Sequence, residues 1–373
     1  MTTLSELTTL QVGGPAVEAV TATTRDELVA AVAEVWNRGE DPFILGGGSN
    51  VLVADEGYDG TLIRVATRGI DVLSSENGRV IVRVQAGESW DDLVAVAVER
   101  GLAGIEALSG IPGSCGASPI QNIGAYGQEL SASLVAVELL DREHGDLVRV
   151  PAAELGLGYR TSVLKRHGGQ AAERDGVVVS IDLELTDDAG LSAPIAYGQL
   201  ASALGVDLGT RLPIADVRRT VLELRRSKGM VLDAADPDTS SAGSFFTNPI
   251  VSESFARSLP ADAPRWPMEE DHEDAVVIPL GQWTGDVPRP SFEHGAQVKL
   301  SAAWLIERSG ISRGFRLPGS RAGISTKHTL ALTNTGGSTA DEIASLARYV
   351  QMRVAAEFGV VLQPEPVYVN LEF

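Results

Sequence analysis

The chain has 373 residues, 44% hydrophobic and 21% charged, with a formal net charge of -20; it is long enough for two or three globular domains and too apolar to be disordered. The charge argues against a nucleic-acid footprint, and a single cysteine, Cys115, with five scattered histidines excludes a disulfide framework and gives no expectation of a metal centre. The longest apolar runs, such as Leu28 to Val35, fall short of the ~20 residues of a membrane span, and the N-terminus "MTTLSELTTLQVGG" has no basic stretch before an apolar core, so a cytoplasmic protein is expected.

In chain order, "TTRDELVAAVAEVWNRG" predicts an amphipathic helix. Thr24 and Glu27 stand at capping-box spacing, Leu28, Val29, Val32, Val35 and Trp36 share a side, and Gly39 stops it. "DPFILGGGSNVLVADEG" reads as a buried strand, a tight loop and a second strand, and "GRVIVRVQAG" alternates like a half-buried strand. "ESWDDLVAVAVERG" is a helix capped by Ser89 and stopped at Gly101. Such alternation of helix and strand indicates an α/β or α+β architecture. After "RRSKG" the composition shifts to the turn residues of "LDAADPDTSSAG", which marks a domain boundary. The section from Trp266 to Pro290, rich in proline and acid, is expected to be loop-dominated. "STADEIASLARYVQMRVAAEFG" is a helix with Ile343, Leu346, Val350 and Val354 in register and a stop at Gly359, and "VVLQPEPVYVNLEF" reads as an extended strand broken by prolines.

Two glycine-rich stretches, "GGGSN" (Gly46 to Asn50) and "SGIPGSCGASPIQNIGAYGQE" (Ser109 to Glu129), are either tight turns or backbone cradles for a pyrophosphate. Neither matches the dinucleotide G-x-G-x-x-G or the P-loop pattern. In "DVRRTVLELRRSKG", Val217, Val221 and Leu224 form an apolar stripe, while Arg218, Arg219, Arg225, Arg226 and Lys228 put five cations into eleven residues. That run is either a solvated helix end or a clamp for a diphosphate. Arg160, Ser244 in "AGSFFTNP" and Glu365 are candidates for acid–base or electrostatic work, each with a plain structural alternative.

Taken in this order, "GGGSNVLV", "SGIPGSCGASPIQNIGAYGQE", "GYRTSVLK", "AGSFFTNP", "VKLSAAWLIERSG" and "LQPEPVYV" resemble the UDP-N-acetylenolpyruvoylglucosamine reductases, the MurB family of peptidoglycan precursor synthesis. The resemblance implies an α+β protein: an FAD-binding domain of the vanillyl-alcohol-oxidase type in two α/β lobes, followed by a C-terminal α+β substrate-binding domain. Its divisions would be residues 1–66 joined by 366–373, then 67–228, then 229–365. Gly46, Gly47, Gly48, Ser49 and Asn50, with Gly113, Ser114, Gly116, Ala117, Ser118, Gln121, Asn122, Gly124, Ala125 and Tyr126, would hold FAD. NADPH would be the reductant and UDP-N-acetylglucosamine enolpyruvate the substrate. Hydride would reach C3 of the enolpyruvyl group and Ser244 would protonate C2, while Arg160 and Glu365 lie at the substrate carboxylate and the phenylalanines beside Ser244 exclude water. Tyr197, Arg225, Lys228, Asn248 and Lys299 would grip the UDP portion, with Tyr197 on the substrate-covering loop of the tyrosine-loop subtype and Arg226 an alternative to Arg225. Ser325, Lys327 and His328 fall where the resemblance implies nucleotide or NADPH contacts, and Cys115 is expected to pack rather than react. A flavin oxidase of the same fold, or a UDP-sugar-binding protein without catalysis, are the competing readings. A monomer with no membrane or nucleic-acid partner is expected.

Overall fold

A computed structural model of the chain describes residues 2–166, 171–268 and 296–371. The fold is α+β. Strand β1 (Ala16–Ala22), helix α1 (Arg25–Asn37) and strands β2 (Phe43–Leu45), β3 (Val51–Val53) and β4 (Tyr58–Val65) open the chain. β1, β4 and β2 form a parallel sheet with β4 in the middle. The Thr24–Glu27 capping box starts α1, which buries Leu28, Val32 and Val35.

A larger antiparallel sheet follows. It is built from β5 (Ile70–Glu76), β6 (Arg79–Gln85), β7 (Leu102–Ala103), β10 (Leu134–Asp141), β11 (Leu147–Pro151) and β12 (Gly176–Asp187), in the order β11-β10-β12-β6-β5 with β7 on the far end of β12. Helix α2 (Trp90–Glu99), capped by Ser89, covers one face, and a short hairpin of β8 (Gly124–Ala125) and β9 (Gln128–Glu129) lies within the second glycine-rich stretch. β12 is buried on both faces. Val177 and Val179 pack with α1, whereas Val178, Ile181 and Leu183 join the core beneath α2. Arg25 at the start of α1 donates to Glu138 of the larger sheet at 2.6 and 3.0 Å, and within that sheet Asp182 accepts from both Arg83 and Arg149. Burial pushes the Asp182 carboxyl up, but the two guanidinium groups outweigh it and hold the pKa below the usual range.

Helices α3 (Gly198–Leu204) and α4 (Ile214–Ser227) lead out of this region. The last part holds β13 (Ile250–Ser252), α5 (Glu253–Ser258), β14 (Arg265–Pro267), β15 (Gln297–Leu300), α6 (Ala302–Arg308), β16 (Ala322–Ile324), β17 (Leu332–Asn334), α7 (Ala340–Phe358) and β18 (Val367–Val369). The stretch expected to be loop-dominated thus begins with a strand, and its residues 269–290 lie outside the described residues. α7 runs from the Thr339–Glu342 capping box to Gly359 in the left-handed region and buries Ile343, Leu346, Val350 and Val354. The terminal segment is strand only over Val367–Val369. There it pairs in parallel with β3, Val367 opposite Val51, and so carries the end of the chain back to its beginning.

Phe245 and Phe246 are fully buried against this last core, their ring centroids 5.3 Å apart in an edge-to-face contact, with Tyr368 beyond Phe245. Phe245→Ala removes the larger part of a full side chain from a packed interior, so denaturant unfolding should show a loss of about 3–5 kcal/mol.

Candidate functional site

A cavity of about 480 Å³ opens where the three regions meet. Its walls are the loop Gly46–Asn50 between β2 and β3, the loop from Ile111 to Gly124, the turn at Arg160, Arg225 near the end of α4, Ser244, and Glu365 before β18. The two glycine-rich loops pack backbone to backbone. A Cβ on Gly47 would stand 2.7 Å from the Gly113 Cα, and one on Gly48, whose φ is +62°, would stand 2.0 Å from the Leu7 carbonyl oxygen. Ser49 Oγ donates to the Pro112 carbonyl at 2.9 Å and fixes one loop on the other. Among the described residues, the amides of Gly46 to Asn50 donate to no protein acceptor, nor do those of Gly113 and Ser114. A concave row of free N–H groups on an elongated cavity fits the diphosphate of a dinucleotide such as FAD.

Arg160 and Glu365 meet at the cavity wall. The Arg160 Nε lies 3.3 Å from Glu365 Oε1, and its Nη2 donates to the Gly124 carbonyl at 3.1 Å. The carboxylate therefore has a cation beside it. Arg160 itself sits at φ +56°, an uncommon conformation for a side chain of this size. Lys165 lines the same cavity and donates to the Arg160 carbonyl at 2.8 Å. Backbone bonds place Ser244 with them: Glu365 N donates to the Phe245 carbonyl, and Phe245 N to the Leu330 carbonyl. Asn50 Nδ2 ties the first loop to this pair, donating to the Glu365 carbonyl at 3.2 Å and to Gln121 Oε1 at 3.1 Å.

Not every expected contact lies here. The Phe245 and Phe246 rings point into the C-terminal core and do not line the cavity, so they anchor Ser244 through the backbone rather than shield it. The five cations of α4 and its end do not converge. Arg218 is spent on a two-pronged ion pair with Asp91, Arg219 pairs with Asp216, and Arg226 is exposed. Arg225 alone of them lines the cavity, its Nε enclosed and without a hydrogen-bond partner among the described residues, and burial lowers its pKa.

Asn122, Ala125 and Tyr126 also lie off the lining. The Asn122 side chain latches the loop by donating to Glu129 and to the Gly158 carbonyl and accepting from Ser131 N. Tyr126 instead organises one flank of the site: Tyr197 packs edge-on against it at 6.0 Å, and the Lys228 ammonium sits 5.6 Å from its ring centre. Tyr159 organises the other. Its hydroxyl accepts from Asn248 N, and the Lys299 ammonium lies 4.8 Å from its ring centre. Tyr159 and Lys165 both stand in "GYRTSVLK", and only their contacts, not their spacing, single them out.

The Ser325–His328 turn adjoins Lys228. Ser325 Oγ accepts from Lys327 N and His328 N, and the Lys327 ammonium pairs with Asp236 at 2.6 Å. Burial, with Lys228 next in weight, pushes the His328 pKa down to about 4. Cys115 is fully buried and its thiol is pushed far above the usual range by burial. No group of three or more metal-ligating side chains occurs among the described residues.

Residues 236–369 match the profile described as "UDP-N-acetylenolpyruvoylglucosamine reductase, C-terminal domain", and residues 17–151 match an FAD binding domain. A UDP-N-acetylenolpyruvoylglucosamine reductase of Leifsonia xyli is 56% identical, covering 99% of this chain and 98% of its own length. The chain belongs to the UDP-N-acetylenolpyruvoylglucosamine reductase family. The reductase of Saccharopolyspora erythraea is 49% identical over 98% of this chain and 94% of its own. The crystal structure of the Thermus caldophilus reductase, MurB, superposes with a TM-score of 0.62 at 27% identity, covering 99% of this chain and 97% of that one. The protein is accordingly an FAD-dependent flavoprotein oxidoreductase, and the cavity with its free amides is the candidate place for that FAD.

Gly48→Ala forces a side chain into the left-handed region and against the Leu7 carbonyl, so FAD affinity should fall roughly tenfold or more, read as flavin absorbance relative to protein after dialysis. His328 sets a pH dependence. The unfolded chain takes up its proton near pH 6.5 and the folded chain only near 4, so stability is lost as pH falls between these values. His328→Asn should therefore lose less Tm than the parent between about pH 7 and about pH 5.

Proposed function

We propose that this protein reduces UDP-N-acetylglucosamine enolpyruvate to UDP-N-acetylmuramate with NADPH, and that Ser244, Arg160 and Glu365 carry the substrate half of the reaction. The observation that carries this reading is the meeting of those three residues, drawn from three separate segments, on one wall of the FAD cavity. When bound, FAD supplies the hydride transfer that links NADPH to C3 of the enolpyruvyl group.

The protein's own groups govern the charge and the proton. Arg160 is positioned to take the substrate carboxylate, and with Glu365 it polarises the double bond so that negative charge developing at C2 is met by an oriented cation. Ser244 Oγ then gives its proton to C2. A serine is a weak acid, so the step depends on a strongly basic carbon held against it, and the backbone bond from Glu365 N to the Phe245 carbonyl fixes that placement. Arg225, Lys228, Tyr197, Asn248 and Lys299 hold the UDP portion. Two facts support them as a group: Tyr197 and Lys228 share Tyr126, and Asn248 and Lys299 share Tyr159, so two cations and two side chains with polar tips stand on opposite flanks. Tyr197, exposed at the start of α3, is free to close over a substrate as in the tyrosine-loop subtype.

The proposed division of the chain follows the same logic. Residues 1–66 with 366–373, and 67–228, hold FAD, and 229–365 cover the substrate; the β18–β3 pairing supports the join of the two termini. The reading extends to a cytoplasmic monomer, and size-exclusion chromatography of the holoenzyme tests the latter. Among the described residues no helix is long and apolar enough to cross a membrane.

In anaerobic stopped-flow absorbance, NADPH should bleach the flavin and UDP-N-acetylglucosamine enolpyruvate should restore it. Ser244→Ala should leave the bleaching intact and slow the recovery by about 100- to 10,000-fold. Equal loss in both phases would remove Ser244 as the proton donor. Lys228→Ala should raise KM for the UDP substrate about tenfold or more with a smaller effect on kcat; an unchanged KM would take Lys228 out of the substrate site.

A further inference from the structure

Lys165 is a cation on the cavity wall that the reaction as derived above leaves without work. Its place is closely determined. Ser162 Oγ donates to the Ile120 carbonyl of the second glycine-rich loop and accepts from Leu164 N, Lys165 N donates to the Ser162 carbonyl, and Leu164 is buried. The turn is thus pinned to the wall it borders, and it delivers the Lys165 ammonium to the carbonyl of Arg160 at 2.8 Å. That carbonyl belongs to a residue held at φ +56°. Arg160 is the third residue of a tight turn closed by reciprocal backbone bonds between Gly158 and Thr161; a left-handed arginine persists where its surroundings over-determine it, and the ammonium adds a side-chain hydrogen bond to its main chain.

We propose that Lys165 is a positioning residue for the substrate carboxylate: it locks Arg160 in its left-handed conformation through the main-chain carbonyl and, as the second cation beside one carboxylate, leaves the Arg160–Glu365–Lys165 cluster with a net positive charge. Arg160 alone would be neutralised by Glu365, 3.3 Å away. With Lys165 included, two cations face one anion, and a ligand carboxylate completes the balance. Burial has the largest effect and leaves the Lys165 pKa below the usual lysine range, although the Glu365 carboxylate raises it; Arg160 lowers it further. Such an ammonium, part-desolvated and hydrogen-bonded to a main-chain oxygen, interacts strongly with an added anion because little water screens it.

This inference rests on the reading of the cavity as the site that takes the enolpyruvyl carboxylate. Its test therefore uses paired ligands with and without that group. Calorimetric titration of the FAD-loaded protein with UDP-N-acetylmuramate, which keeps a carboxylate, and with UDP-N-acetylglucosamine, which lacks one, should show the first bound more tightly. Lys165→Met keeps the length and packing of the side chain without its charge; it should weaken UDP-N-acetylmuramate by about 10- to 100-fold and leave UDP-N-acetylglucosamine within about threefold. Lys165→Arg should recover most of the loss. If the methionine variant does not fold, Lys165→Gln, which can still donate to the Arg160 carbonyl, should show the charge-dependent part of the same loss. Equal weakening of both ligands, or of neither, would overturn the proposal and leave Lys165 a packing residue. If the parent protein binds the two ligands equally, or binds neither, the carboxylate-site reading itself falls and the role of Lys165 with it.

Discussion

Residues 363 to 369 are the constraint on which the site depends. Over seven residues this segment hydrogen-bonds in turn to the C-terminal core and to the first glycine-rich loop: Thr247 N donates to the Gln363 carbonyl, Glu365 N to the Phe245 carbonyl, and Val367 N to the Asn50 carbonyl. Asn50 returns a side-chain bond to the Glu365 carbonyl. One stretch thereby fixes Glu365, Ser244 and the row of free amides in the first glycine-rich loop relative to each other. It adds to the other joins between the N-terminal and C-terminal regions, such as Thr9 to the Ser241 carbonyl and Asn334 to the Leu10 carbonyl. Two prolines, Pro364 and Pro366, flank Glu365 and limit its backbone further, which leaves little freedom in where its carboxylate is carried.

Most of the fold's local chemistry was open to reading in the sequence. The capping boxes of α1 and α7, the serine cap of α2 and the glycine stops follow from short-range rules that tertiary packing did not override. The central strands of the large sheet were harder. "GVVVSIDLEL" has no apolar–polar alternation because β12 is covered by α1 on one face and by the core under α2 on the other, and a strand buried on both sides loses its period of two. The terminal strand had the opposite problem, since prolines shorten it to three residues while its partner, β3, lies at the far end of the sequence.

Motif spacing singled out residues that the structure gathers in and around one cavity, but not how the cations among them divide. The α4 cations look alike in sequence, and what separates them is a partner elsewhere: Asp91 on α2 takes Arg218 in a two-pronged pair and also accepts from Gly110 N, so the helix is clamped to the start of the second glycine-rich loop. With Arg218 fixed there, Arg225, two turns along the same helix, is carried to the cavity. Of the clamp expected from clustered charge, Arg218 and Arg219 go to structural ion pairs, Arg225 lines the cavity and Lys228 lies against Tyr126. The two phenylalanines beside Ser244 teach the same lesson in reverse. They were expected to dry the proton donor, yet they act from inside the core, through the carbonyl of Phe245.

Strain and charge converge at one place, and each explains how the other is tolerated. Asn122, Tyr126 and Arg160 are all non-glycine residues at positive φ, and they adjoin: the Arg160 guanidinium donates to the Asn122 and Gly124 carbonyls. Each such residue costs of order 1–3 kcal/mol, so three together persist only where hydrogen bonds and packing outweigh the cost. Asn122 meets that condition with three side-chain hydrogen bonds, Tyr126 with its place between Tyr197 and Lys228, and Arg160 with the ammonium of Lys165 on its carbonyl. From this left-handed turn the Arg160 guanidinium reaches the Asn122 and Gly124 carbonyls and Glu365. In a chain of net charge -20, a locally positive pocket has to be built from cations whose own carboxylate partners are few. Arg160, at a positive φ, meets Glu365 on a wall that Lys165 and Arg225 also line, so the charge of the cavity depends on the conformation of a single turn.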